Sequence, residues 1–218
     1  MAVRPVFEVL ENEKLFERRE VQFTWFDGRA LEKSRKNIQG LHENYLATNP
    51  DKKILEISTK SEEELGVKLS AFNLMVRENV SLESAFQGSK VFKLGGPYTD
   101  IIGKLSLYAK SDGRLKKSGA LIGFSFEGKN FPNKPPTYFY NWFYVSTLAT
   151  NKDLADELLE RKFDAFTDIA FNPNRGKVNC QAEAAAIFVS LSRQNLLSDA
   201  IADEKNFLRI VYDERRRF

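Results

Sequence analysis

One cysteine and one histidine in 218 residues leave this chain short of the side chains that build most metal and thiol sites. The lone thiol, Cys180, cannot close an internal disulfide and fits a reducing compartment, so a cytoplasmic protein is expected. With His42 as the sole imidazole, multi-histidine metal sites are excluded and no metal is expected. Paired, Cys180 and His42 would make a thiol-protease dyad, but Cys180 stands where a helix should begin and reads better as a small buried residue. No apolar run approaches the ~20 residues that span a bilayer. The opening Met1 to Leu10 (M-A-V-R-P-V-F-E-V-L) lacks the apolar core of a secretory signal. Neither a Walker loop nor a dinucleotide fingerprint occurs, so no ATP or NAD cofactor is expected.

What is present describes a soluble globular chain: 42% hydrophobic and 29% charged residues, in a length that suits one domain spanning 1–218. The net charge of +3 permits a polyanionic partner without demanding one. Basic residues cluster at Lys110, Arg114, Lys116 and Lys117 and again at Arg215, Arg216 and Arg217, runs that most often are solvated surface or a frayed terminus.

Periodicity predicts strands over Glu20 to Phe26, Ile54 to Ser58 and Ala120 to Phe126. Helices are predicted from Arg29 to Ala47, from a capping box at Ser61 toward Leu69, from Ser81 to the Gly95-Gly96 pair, and over Thr99 to Lys110. Three more follow, from Asn151 to about Lys162, after Asn179, and across Leu196 to Val211. Helices dominate a small antiparallel sheet, so the fold class is α+β.

Between Asn79 and Gly96 the polar residues form a site-like pattern. On a helix capped by Ser81, Glu83, Gln87 and Lys90 fall within roughly 60° of one another, beside an apolar face of Leu82, Ala85, Phe86 and Phe92. A carboxylate, an amide and an amine in one stripe can handle protons and a sugar; equally, charged residues beside an apolar face are the solvated side of an ordinary helix. Two loop-to-helix junctions, Gly95-Gly96-Pro97-Tyr98-Thr99 and Asn172 to Asn179, aim backbone N–H groups outward as phosphate sites do and as plain capping turns also do. The run Tyr138 to Tyr144 suits base stacking or, more simply, core packing. Trp25, at a strand end, can line a pocket mouth. Asp168 with Asn172 can grip a ribose diol, or Asp168 can cap locally.

Ser70-Ala71-Phe72-Asn73 followed by Glu83-Ser84-Ala85-Phe86-Gln87-Gly88-Ser89-Lys90 resembles the NADAR signature, an S-N-F-like element and then E-x-x-F-Q-x-x-K. Further stretches (Leu55 to Ser58, Leu69 to Leu74, Phe86 to Asp100, Phe166 to Ile169, Phe171 to Pro173 and Asn179 to Ala182) are similar to the subgroup found beside Dar-type toxins that ADP-ribosylate guanine in DNA. Two departures stand out: Ser84 occupies a position where the family often has histidine, and the first element is ordered S-A-F-N.

The resemblance implies a NADAR-like fold and an antitoxin N-glycosidase that removes ADP-ribose from guanine, with ADP-ribosylated DNA as substrate, no cofactor, and the cognate toxin as a further partner. Other branches act on phosphorylated riboflavin precursors, so a glycosidase on a free nucleotide-like metabolite is the alternative, and a non-enzymatic module binding ADP-ribose or toxin is a third. By matching position Glu83 and Lys90 become the catalytic pair, with Gln87 positioning. Glu83 would steady oxocarbenium charge or activate water. Lys90 would either protonate the leaving side or attack the ring-opened C1 as an amine whose pKa burial has depressed. Asn73, from the first element, joins as a substrate-binding candidate; helix-terminus and stacking physics rather than a family motif offers the loop at Asn179 for the pyrophosphate and Trp25 or Tyr98 for adenine or guanine.

Overall fold

The alternation at Glu20 to Phe26 extends further toward the N-terminus than the sequence suggests, because the preceding segment pairs with it. In the computed structural model, which describes residues 1–28, 30–173 and 178–212, strand β1 (Ala2–Val9) and strand β2 (Phe16–Phe23) form a long antiparallel hairpin with Ala2 opposite Phe23. Arg29, residues 174–177 and the Arg215 to Arg217 run lie outside the described residues.

Helix α1 (Leu31–Leu46) follows, with Ile38, Leu41 and Tyr45 buried as their spacing predicts. Strand β3 (Ile54–Glu56) leads to helix α2 (Glu64–Lys68). The capping box read at Ser61 does not form: the helix opens two residues later after Glu63, and Ser61 Oγ instead accepts from Glu63 N at 3.2 Å. A small hairpin, β4 (Met75–Arg77) and β5 (Val80–Ser81), introduces helix α3 (Leu82–Gly88). Ser81 does cap α3, accepting from Ser84 N at 3.2 Å. The helix ends at Gly88 rather than at Gly95, so Lys90 opens a strand, β6 (Lys90–Phe92).

The helix expected over Thr99 to Lys110 is broken into a single 3-10 turn at Thr99–Ile101 and helix α4 (Ser106–Ser111), with α5 (Arg114–Lys117) beyond. Gly103, at φ +82, is the break. Strand β7 (Leu121–Phe126) turns through Glu127 and Gly128, both at positive φ, into β8 (Lys129–Pro132), a partner strand not read from the sequence. The aromatic run forms the buried helix α6 (Tyr138–Thr150), followed by α7 (Lys152–Glu160), strand β9 (Ala165–Thr167) and helix α8 (Gln181–Arg193). Asn151 and Asn179 precede α7 and α8 but donate or accept no capping bond; Asn151 Nδ2 bonds Met75 O and Thr147 O. The last predicted helix is two: α9 (Leu197–Ile201) and α10 (Glu204–Tyr212).

The class is α+β, with short sheets among more abundant helix. The largest sheet runs β2-β1-β9-β3; its pairs are antiparallel except β3 with β9, which is parallel. Successive side chains of a strand face opposite ways, which explains why β1 is buried on both sides. Val6, with Phe23 and Ala165, packs on α1, while Phe7, with Leu55 and Phe166, packs in the larger core of α6 and α8. No helix among the described residues is long and apolar enough to cross a membrane.

Candidate active site

Helix α3 is buried along its whole length, which an amphipathic surface helix would not be. Its apolar residues meet aromatics of β7 and α6: Phe86 packs on Phe124 at 5.5 Å, Phe139 at 6.1 Å and, edge-on, Tyr140 at 5.0 Å. Its polar side looks into a cleft of about 240 Å³, walled by Glu83, Gln87 and Lys90 on one side and by Asp168, Asn179 and Gln181 on another.

The three stripe residues form one hydrogen-bonded chain. Gln87, one turn after Glu83, donates from Nε2 to Glu83 Oε1 at 2.9 Å, and Lys90 Nζ donates to Gln87 Oε1 at 2.7 Å. Glu83 is only 5% exposed, so it is not on a solvated face. Its charge is met by Lys110 of α4, whose Nζ lies 3.3 Å from Glu83 Oε1. Lys90 Nζ lies 4.7 Å from the centroid of the Phe86 ring. Burial pushes the Lys90 amine down to about 8, with Lys110 adding to the effect and Glu83 opposing it. An amine in that range can both give and take a proton near neutral pH.

The Gly95-Gly96-Pro97 turn packs against the backbone of Lys90 and leads into a single 3-10 turn rather than the α-helix expected there. A Cβ on Gly96 would lie 2.3 Å from the carbonyl oxygen of Lys90, so only glycine allows the approach. Tyr98 does not line the cleft; its hydroxyl bonds Ser118 and the Arg114 guanidinium lies 4.4 Å from its ring.

The opposite wall rests on a buried polar chain. Glu56 accepts from Thr167 Oγ1 at 2.7 Å and Ile169 N at 3.0 Å, and Thr167 Oγ1 lies 2.8 Å from His42 Nε2. Thr167 has one proton, so whenever Glu56 is ionised and takes it, His42 Nε2 is the donor to Thr167. Burial holds His42 neutral, down to about 4, and pushes the Glu56 carboxyl up to about 7, with Asp168 adding to the rise. This chain sets the position of Asp168 at the cleft edge.

Cys180 is buried, and burial pushes its thiol well up, as suits a packed residue. Asn179 lines the cleft, and its Oδ1 is buried with no hydrogen-bond partner among the described residues. Trp25 and Asn172 line a neighbouring cavity of about 430 Å³, together with Arg4 and Asp27, and this cavity shares Ala170 with the cleft. Asn73 stands apart, exposed, its Nδ2 bound to Val67 O at 2.9 Å and Ser70 Oγ at 3.2 Å.

Several cleft residues are not candidates on the sequence alone, among them Lys60, Gln181, Tyr140 and Lys110. Gln181 ties two walls together, accepting from Ala71 N at 2.8 Å and donating to Ile57 O at 2.6 Å. Tyr140 lay hidden in the aromatic run, and Lys110 in a basic cluster that resembles plain surface. No group of three or more His, Cys, Asp or Glu side chains among the described residues is placed to hold a metal.

A family model described as the DarT1-associated NADAR antitoxin matches residues 2–217. No curated protein matches the chain.

Proposed function

The chain belongs to the DarT1-associated NADAR antitoxin family, and we propose that it is the N-glycosidase that removes ADP-ribose from guanine bases of DNA. The observation that carries this reading is the chain from Glu83 through Gln87 to Lys90, which holds a carboxylate and an amine of lowered basicity at one cleft wall. Breaking a ribosyl C1–N bond develops positive charge at C1 and needs protons moved at two heteroatoms, and these groups supply both functions.

In the proposed sequence Lys90 enters as the ammonium and gives its proton to the ribose ring oxygen. The guanine nitrogen's electron pair opens the ring, leaving a C1=N iminium. The freed amine attacks C1, and the proton it sheds passes through Glu83 to the guanine nitrogen, which departs. Water, deprotonated by Glu83, adds to the remaining lysine iminium. Glu83 returns that proton to the Lys90 nitrogen, and the C1–N bond breaks as the new hydroxyl becomes the C1 aldehyde. The hydroxyl proton restores the Lys90 ammonium while the aldehyde recloses as ADP-ribose.

Three cations, Lys60, Lys90 and Lys110, stand in the cleft against Glu83 and Asp168, a balance that favours a pyrophosphate ester. We place the pyrophosphate by the start of α8, with the unpartnered Asn179 Oδ1 and Asp168 accepting ribose hydroxyls. The adenosine end then runs past Ala170 into the cavity of Trp25 and Asn172. The cytoplasm, where the DNA lies, is the expected compartment.

The test is release of ADP-ribose from an oligonucleotide carrying ADP-ribosyl-guanine, beside the modified mononucleoside. Glu83→Gln and Lys90→Ala should each lose at least ~100-fold in rate while folding normally. Undiminished release by either variant removes that residue from the mechanism, and no release by the parent protein sinks the enzymatic reading. Turnover of the mononucleoside alone would favour the metabolite glycosidase. Protection of cells by both inactive variants would favour a binding module.

A further inference from the structure

Residues 93–119 contain five lysines and one arginine against two aspartates, a net +4 in a chain whose total is +3. Both aspartates are taken by one cation: Arg114 Nη2 reaches Asp100 Oδ2 at 2.7 Å and Asp112 Oδ2 at 2.8 Å. Lys93, Lys104, Lys116 and Lys117 remain exposed, with no ion pair to a carboxylate among the described residues.

The same stretch shows large apolar side chains to solvent. Leu105 is 83% exposed, Leu107 71% and Tyr108 63%. They stand on or beside α4, whose inner face is fixed to the site. Ala109 is fully buried, Ser106 Oγ lies 2.7 Å from Ser81 Oγ and donates to Phe72 O at 3.1 Å, and Lys110 reaches Glu83. One face of this short helix is therefore cleft wall. The other carries a leucine and a tyrosine that nothing among the described residues covers.

We propose that this rim is the DNA-gripping surface: the free lysines hold phosphates flanking the modified guanine, and Leu107 and Tyr108 fill the step that the guanine vacates. The inference rests on the reading above that the substrate is nucleic acid. A nucleotide inside a duplex cannot reach a cleft in a protein wall, so it must swing out, and the vacated step needs an apolar or aromatic filler. Lysines without counter-charges match a phosphate backbone without selecting sequence, as an enzyme acting wherever a guanine was modified requires. A protein partner would gain from the leucines but would have to supply its own acidic surface against four unmatched lysines.

Two variants of the full chain test the surface, a triple Lys104→Glu/Lys116→Glu/Lys117→Glu and a double Leu107→Ser/Tyr108→Ser; none of these residues lines the cleft. Anisotropy with an unmodified DNA oligonucleotide should show the charge variant weakened at least ~10-fold, its salt slope reduced by about 0.7–0.9 per lysine. The double variant should lose ~10-fold in kcat/KM for ADP-ribose release from modified duplex DNA. Both should turn over the modified mononucleoside at the parental rate, which also reports their folding. Parental DNA affinity and parental kcat/KM on duplex in the two variants would overturn the proposal. Loss of toxin capture with DNA kinetics unchanged would overturn it as well and assign the face to the toxin. A parent protein that releases nothing from any modified guanine fails the activity reading itself, and the anisotropy measurement then still decides the surface.

Discussion

Lys90 and Gln87 stand on different elements, a strand and a helix, yet the lysine Nζ donates to the glutamine Oε1 at 2.7 Å. Because the other end of the same amide donates to Glu83, one side chain sets the distance between carboxylate and amine. Gln87→Leu keeps the volume and removes both bonds, so kcat for ADP-ribose release should fall about 100-fold, as misplacement by an ångström can cause. Thermal unfolding should show a loss of only about 1–2 kcal/mol. Unchanged kcat would mean the two groups hold their places unaided.

The Lys90 amine sits near 8 because burial disfavours its charge. If it enters as the ammonium, kcat/KM should decline as pH rises through about 8. Borohydride added during turnover should trap ADP-ribose on Lys90, visible as a mass shift on the peptide that carries it. A rate that climbs through the same pH range would show that the amine enters neutral.

That depressed value also has a stability consequence. A lysine near 10.5 in the unfolded chain and near 8 in the folded one makes folding less favourable at every pH below 8, and the deficit fades as pH rises from 8 to 10.5. Lys90→Met should therefore be more stable than the parent at neutral pH, by on the order of 1–3 kcal/mol in denaturant unfolding, while inactive. A destabilised Lys90→Met would contradict the assigned burial cost.

Gly96 has φ +84 and abuts the Lys90 carbonyl. Gly96→Ala should cost about 2 kcal/mol or more, and its activity loss should exceed that stability loss because the displaced backbone carries Lys90. Activity tracking stability alone would detach the turn from catalysis.

Opposite pH slopes are expected from the His42–Thr167–Glu56 chain. His42, near 4 when folded, removes stability as pH falls below 6.5; Glu56, raised to about 7 from 4.5, removes it as pH rises toward 7. In His42→Gln the Glu56 slope stands alone, so unfolding free energy should drop between pH 4.5 and 7. A flat profile in that variant would place the Glu56 carboxyl at its ordinary value.

Local patterns were readable because their causes are local. Ile38, Leu41 and Tyr45 recur at helical spacing, Ser81 caps the helix it precedes, and the triad order Glu83, Gln87, Lys90 is written in the chain itself. Helix length was not readable. The continuous stripe from Ser81 to Gly95 hides a stop at Gly88, where pairing of Lys90 with Phe124 of β7 outweighs further helix. The break at Gly103 and the partner strand β8 likewise depend on contacts made far along the chain.

The sequence by itself determined the α+β class, which residues carry the carboxylate and the amine, and the family they resemble. Only the tertiary structure decided that those groups are buried, since α4, α6 and β6 close over a stripe that could equally have faced water. It also decided that Lys110, Asp168, Asn179 and Gln181 join them. Side-chain order along a helix follows from backbone geometry one turn at a time, whereas solvation and charge pairing depend on whatever segment packs across it, and no local pattern specifies that partner.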